Sequence, residues 1–244
     1  MAARFLQRLR GAVLPALLYC CFAASAHAGS FQLNPLLVEV PQSSAIATYT
    51  VRNTGNRPLN LQVSGYRWTQ PDDHDKYVPA ERLLIVPQIL TIQPGREQLV
   101  RVALRGAHPT AELEYRLHFN EIPPAPVSGF TGVQTVLHMN VPLFYAPADI
   151  VNAYRLRPSQ KKDGSVVATV ANTGTRFLRI ARLRLLNAQG DQVGMRGGPL
   201  YVLPGATRAW TVELTDGMSR LPAGKYRLIA TVDGKQQVYP LVLR

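Results

Sequence analysis

Ala47, Tyr49 and Val51 alternate with Thr48, Thr50 and Arg52. That period of two predicts a strand with one buried face. Leu113, Tyr115, Leu117 and Phe119 alternate in the same way with Glu114, Arg116, His118 and Asn120. Val133, Thr135, Leu137, Met139 and Val141 alternate with Gln134, Val136, His138, Asn140 and Pro142, which predicts a strand over 132–141. Beyond the N-terminal 28 residues, no segment keeps an apolar helical period for about ten residues. Proline and glycine recur about every eight to twelve residues, as the turns of a β-sandwich do.

The pattern repeats. Val51-Arg52-Asn53-Thr54-Gly55 returns as Val170-Ala171-Asn172-Thr173-Gly174. Pro94-Gly95, set between two apolar runs, returns as Pro204-Gly205. Tyr115-Arg116-Leu117 returns as Tyr226-Arg227-Leu228. The order is kept and the offsets are 119, 110 and 111 residues, so two copies of one unit are expected. Asn-Thr-Gly is expected to supply the positive-φ positions of a turn. The fold class expected is all-β: two seven-stranded immunoglobulin-like sandwiches in tandem, joined near Tyr145–Tyr154. The first unit has a longer middle segment, 66–86, with Pro71-Asp72-Asp73-His74-Asp75-Lys76 read as an exposed turn.

The first 28 residues stand apart. Arg4, Arg8 and Arg10 precede an apolar run from Ala12 to Ala24, and Ala26-His27-Ala28 places alanine at both small-residue positions of a cleavage site. This is the pattern of a cleaved secretory signal, with an apolar run too short to span a bilayer. The expected organisation is therefore 1–28 signal peptide, 29–147 N-terminal sandwich and 148–244 C-terminal sandwich, located in the periplasm. The two cysteines, Cys20 and Cys21, both lie in the signal. No disulfide is expected after cleavage, and each unit rests on its apolar core.

Charge reads differently by segment than in total. The 244 residues hold 27 Lys+Arg and 15 Asp+Glu, a net +12, which taken alone suggests a nucleic-acid or membrane-surface binder. Three of those charges lie in the signal, 29–147 is neutral, and 148–244 carries +9. Arg155, Arg157, Lys161, Lys162, Arg176, Arg179, Arg182 and Arg184 have only Tyr154 and Phe177 near them as aromatic platforms. No nucleic-acid partner is expected. A solvated strand face is the simpler reading, with an acidic protein, lipid or polysaccharide as the functional alternative.

Catalytic signals are close to absent. There is no Gly-x-Ser-x-Gly elbow, no phosphate-cradling glycine loop and no helical pair of zinc-spaced histidines. Asp72-Asp73-His74-Asp75 lacks the spacing of a calcium loop. No enzyme, cofactor or metal site is expected.

Tyr115-Arg116-Leu117-His118-Phe119-Asn120-Glu121-Ile122-Pro123-Pro124 resembles the signature strand of periplasmic pilus chaperones of the chaperone–usher pathway, the PapD-like family. Pro142-Leu143-Phe144-Tyr145-Ala146-Pro147 resembles that family's segment at the end of its first domain, and Asn53-Thr54-Gly55 and 90–102 follow in order. The resemblance spans the chain after the signal and is densest over 85–147. It implies two immunoglobulin-like domains and a chaperone that lends its first-domain G strand to an incomplete pilus subunit, then delivers it to an outer-membrane usher. The implied subunit-binding strand carries Val133, Thr135, Leu137, Met139 and Val141 on one face. If that face packs into the chaperone's own core, the set presented is instead Gln134, Val136, His138 and Asn140, too polar to fill an apolar groove.

The family anchors the subunit's terminal carboxylate with an Arg and a Lys. The matching positions here hold Leu37 and Pro142, and the linker-proximal Arg is replaced by Ala146. The chain therefore resembles a divergent branch of the family. Arg101, Arg116 and Arg52 are the substitute anchor candidates. Self-association through an exposed edge strand is a further expected partner mode. The rival reading is a secreted two-domain adhesion or glycan-binding module working through the basic C-terminal unit.

Overall fold

A computed structural model describes residues 31–107, 109–123, 135–215, 217–218 and 220–243. The signal-peptide expectation and Val133 lie outside the described residues.

The first unit is built from β1 (Phe31–Asn34), β2 (Val38–Val40), β3 (Ile46–Asn53), β4 (Leu59–Thr69), β5 (Lys76–Pro79), β6 (Leu83–Val86), β7 (Ile89–Ile92), β8 (Glu97–Leu104), β9 (Leu113–Glu121) and β10 (His138–Tyr145). The second contains β11 (Tyr154–Gln160), β12 (Val166–Asn172), β13 (Leu178–Leu186), β14 (Gln192–Val202), β15 (Thr207–Thr211), β16 (Glu213–Leu214), β17 (Gly224–Val232) and β18 (Lys235–Leu243). Each unit is a sandwich of two sheets, and both are immunoglobulin-like. In the first, β1-β3-β8-β6 faces β2-β10-β9-β4-β5, with β7 also on β4. In the second, β11-β12-β15 faces β16-β14-β13-β17-β18.

The segments outnumber the seven strands expected per unit because some strands switch sheets. Pro35 separates β1, paired with β3, from β2, which runs parallel to β10. Pro87 separates β6, on β8, from β7, on β4. Proline has no N–H to offer a ladder, so a strand can leave one sheet there and join the other.

The repeated Asn-Thr-Gly works differently from the turn expected of it. Gly55 and Gly174 are not in the left-handed region. The keystone is the buried asparagine. Asn53 Nδ2 donates to the Arg57 and Ile92 carbonyls, and its Oδ1 accepts from Gly55 N–H. Asn172 repeats the set with the Arg176 and Val202 carbonyls and Gly174 N–H. Gly174 is required by close approach, since a Cβ there would press into the Val151 carbonyl. The positive φ belongs to the paired Pro-Gly turns, at Gly95 (71°) and Gly205 (74°). Each of these glycines donates its N–H to the carbonyl of its asparagine, at 3.0 and 3.1 Å.

Two apolar cores form, and the second extends across the junction. Trp68 and Phe144 of the first unit belong to the core of the second. The Phe144 and Phe177 rings stack at 3.7 Å between centroids and 11° between planes.

The turn after β4 closes the junction from the other side. The Gln70 amide donates to the Tyr201 carbonyl, and its Oε1 accepts from Leu203 N–H. Asp73 Oδ1 accepts from Ala209 N–H. Asp73 and Asp75 both pair with Arg208. This acidic turn is a clamp on the second unit rather than a free solvated loop.

Candidate functional site

The site is the edge of β10 and the neighbouring strand β9. β10 pairs along one edge with β9, from His138 opposite Asn120 to Tyr145 opposite Leu113. β2 covers its other edge only at Leu143–Tyr145. From His138 to Pro142, that second edge has no partner strand among the described residues.

The ladder phase fixes which backbone groups are free. Leu137 accepts from Glu121 N–H through its carbonyl and donates its own N–H to Glu121 Oε2. Backbone polarity alternates along an antiparallel strand, so Met139 and Val141 also face β9. His138 and Asn140 turn their N–H and C=O groups outward, and the Pro142 carbonyl faces the same edge where β2 joins it, with Leu143 opposite Val38. Pro142 has no N–H, which suits it to an edge.

The side chains alternate in the other plane. Val141, Leu143 and Tyr145 are buried in the first unit's core. Leu137 and Met139 are half-buried at its rim, and Thr135 is exposed. The apolar face thus runs out of its own core toward the start of the strand. Of the expected subunit-binding positions, Val141 is 4% exposed and lies in this unit's own interior. Among the described residues the strand runs from His138, with 135–137 outside it, and 132–134 of the expected strand lie outside the described residues. On the opposite face His138 and Asn140 are exposed, while Pro142 and Phe144 are buried.

The three candidate cations part company. Arg52 and Arg101 are exposed on β3 and β8, in the sheet that does not contain β10, with Arg52 opposite Glu97. Arg116 lies on β9 directly opposite Pro142. Its guanidinium sits 3.9 Å from the Trp68 ring centroid and 5.2 Å from that of Tyr201. Cations over aromatic faces at such distances are attracted by the ring quadrupole. Its Nε is buried with no hydrogen-bond partner among the described residues, and no carboxylate pairs with it. Burial lowers its pKa, an effect opposed by the nearby Tyr77, Tyr201 and Asp75. Tyr66 packs on His118 at 4.6 Å. Burial, and then the Arg116 charge, lowers the His118 pKa. Leu37 is half-buried against the second unit's core.

One group escaped the sequence reading. Glu112 is 5% exposed and its Oε1 accepts from Phe177 N–H across the junction at 2.8 Å. Burial, reinforced by Glu114, pushes its pKa from 4.5 to about 8. Two exposed-looking glutamates flanking Leu113 gave no sign of this. The nearest hint was the mismatch between their charge and the strand that begins between them.

A family model described as pili and flagellar-assembly chaperone, PapD N-terminal domain, matches residues 30–151. No curated protein sequence matches the chain significantly. Among solved structures, the complex of the chaperone CsuC with the tip adhesion subunit CsuE from Acinetobacter baumannii aligns with TM-score 0.63 and 17% identity, over 86% of this chain and 97% of that one. The Salmonella enterica SafA pilin–SafB chaperone complex aligns with TM-score 0.59 and 19% identity, over 90% and 99%. The E. coli chaperone DraB gives 0.59 and 19%, over 89% and 98%. At these identities the likeness speaks to the fold.

Proposed function

This chain belongs to the family of PapD-like pili and flagellar-assembly chaperones, and from that premise we propose that it works by strand addition at the free edge of β10. It is a non-enzymatic chaperone for pilus subunits, acting in the periplasm. The observation that carries the mechanism is the coincidence, on one stretch of β10, of an unpaired backbone edge with an apolar face leaving its own core.

A subunit lacking its last strand presents the complementary defect, an open edge and an open groove. His138 and Asn140 would supply the ladder, while Leu137 and Met139, extended by Thr135 and Val133, would enter the groove. Each fully buried aliphatic side chain contributes about 1.5–3 kcal/mol. Arg116 is the anchor for the subunit's terminal carboxylate, because it alone of the three candidates lies beside β10, opposite Pro142 on β9. A carboxylate reaching it would complete the hydrogen bonding of a buried guanidinium. Export by a signal cleaved after Ala28 and delivery to an outer-membrane usher complete the proposal.

The test is co-expression with a pilus subunit followed by purification from the periplasm. A stoichiometric complex is expected, and Leu137→Asp with Met139→Asp should abolish it while leaving the chaperone folded. An undiminished yield of complex from that variant would make strand addition wrong.

A further inference from the structure

We propose that the outer face of the β11-β12-β15 sheet carries a separate binding site for a phosphate-bearing ligand, held between Arg155 and Arg157. β11 is the outer strand of this sheet. Arg155, Arg157 and Ser159 alternate onto its solvent face, and exposed Lys161 follows in the turn. Alternate residues of a strand stand about 6.6–6.8 Å apart, so the two guanidinium groups can converge on one ligand.

The neighbouring strand provides the floor. Ala171 lies opposite Arg155 and Thr169 opposite Arg157. These four residues line a shallow depression of about 230 Å³. Thr207 and Ala209 continue the same small-residue floor on β15. A floor without aromatic side chains offers no platform for nucleic-acid bases.

The electrostatics point the same way. Neither arginine has a carboxylate partner among the described residues. Asp163, in the turn after β11, accepts from Ser165, and Asp73 and Asp75 are held by Ala209 and Arg208 on β15. Each guanidinium forks onto two oxygens. Two forks outnumber the oxygens of a single carboxylate, whereas a phosphomonoester or diphosphate has enough. The depression is smaller than the roughly 300–1,000 Å³ of drug-sized pockets, which suits a compact headgroup.

The experiment uses the full chain and inorganic pyrophosphate, titrated calorimetrically at fixed ionic strength, with acetate as the comparison anion. Saturable binding of pyrophosphate over acetate is expected, weakened at least about tenfold by Arg155→Gln with Arg157→Gln. Arg182→Gln with Arg184→Gln, on the other sheet, should leave the affinity unchanged. Arg155, Arg157 and Arg182 are exposed and Arg184 is half-buried, and circular dichroism checks that the fold persists. Equal affinity in the Arg155/Arg157 variant, or equal binding of acetate, would overturn the proposal. Sedimentation with phosphatidic-acid vesicles, dependent on the same two arginines, would assign the phosphate to a lipid headgroup. Pyrophosphate binding without sedimentation would assign it to a free ligand.

Discussion

Glu112 should make this protein lose stability as the pH rises from about 4.5 to about 8. Its carboxyl group is buried at the junction and accepts from Phe177 N–H, with Glu114 next to it on one side and the Arg176–Glu39 pair nearby. Burial raises its pKa from 4.5 to about 8. Between those values the folded chain holds a proton that the unfolded chain releases. Stability therefore falls as pH rises, by about 1.4 kcal/mol per pH unit from this group, and the loss levels off above the folded pKa. Across the whole window the effect is a few kcal/mol, a large share of the roughly 5–15 kcal/mol that holds a domain folded. Glu114 shifts in the same direction, so comparison with a variant is needed to isolate Glu112. Glu112→Gln keeps an acceptor for Phe177 N–H and cannot ionise. Urea unfolding at about pH 5, 6.5 and 8 should give the wild type a declining series and the variant a flatter one, with the variant the more stable at the alkaline end. Parallel series for the two proteins, or wild-type stability that rises toward pH 8, would refute the reasoning.

Three further outcomes are expected. Arg116→Gln should weaken retention of a co-expressed subunit at least about tenfold, by removing a charge-assisted hydrogen bond, and a subunit ending in a carboxamide should show little difference between the two chaperones. Asn172→Ala strands Gly174 N–H and the Arg176 and Val202 carbonyls, and denaturant unfolding should show a loss of about 2–4 kcal/mol. Phe177→Ala removes the ring stacked on Phe144, and should cost about 3–5 kcal/mol in the same assay, with the change in near-ultraviolet circular dichroism coming from the junction.

Much of the framework was readable because it follows a period of two. The alternation in 47–52 and 113–120 fixes which side chains meet the core, and Tyr49, Leu117 and Phe119 are indeed fully buried. The repeated Asn and Pro-Gly segments were readable too, but their mechanism was not. Sequence suggests a turn at Asn-Thr-Gly, whereas the buried asparagine ties its own local loop to the carbonyl of a distant strand, Ile92 for Asn53 and Val202 for Asn172. The junction resisted reading for the same reason. Glu112, Gln70, Asp73 and Asp75 look like ordinary surface residues, and only tertiary contact with 176–209 gives them their roles. The anchor was only partly accessible: periodicity puts Arg52, Arg101 and Arg116 equally on outward strand faces. What separates them is which sheet each strand joins, and that depends on long-range pairing.

β10 shows why the strand-addition reading places tight demands on this sequence. Its four sides are all committed. One edge pairs with β9, and the other is shared between β2 at one end and open backbone at the other. One face descends from exposed Thr135 through Leu137 and Met139 into the core at Val141, and the other passes from exposed Asn140 into the junction at Phe144. A slip of one residue would exchange the faces, bringing His138 and Asn140 to the apolar side and Phe144 out of its stack with Phe177. The register is held from the junction end, where Phe144 is locked and β2 closes the edge. The open end can then exchange partners without disturbing the phase. A strand fixed at one end and open along one edge at the other presents its apolar face in a single, predetermined register, which is what an incomplete sandwich needs from a temporary last strand.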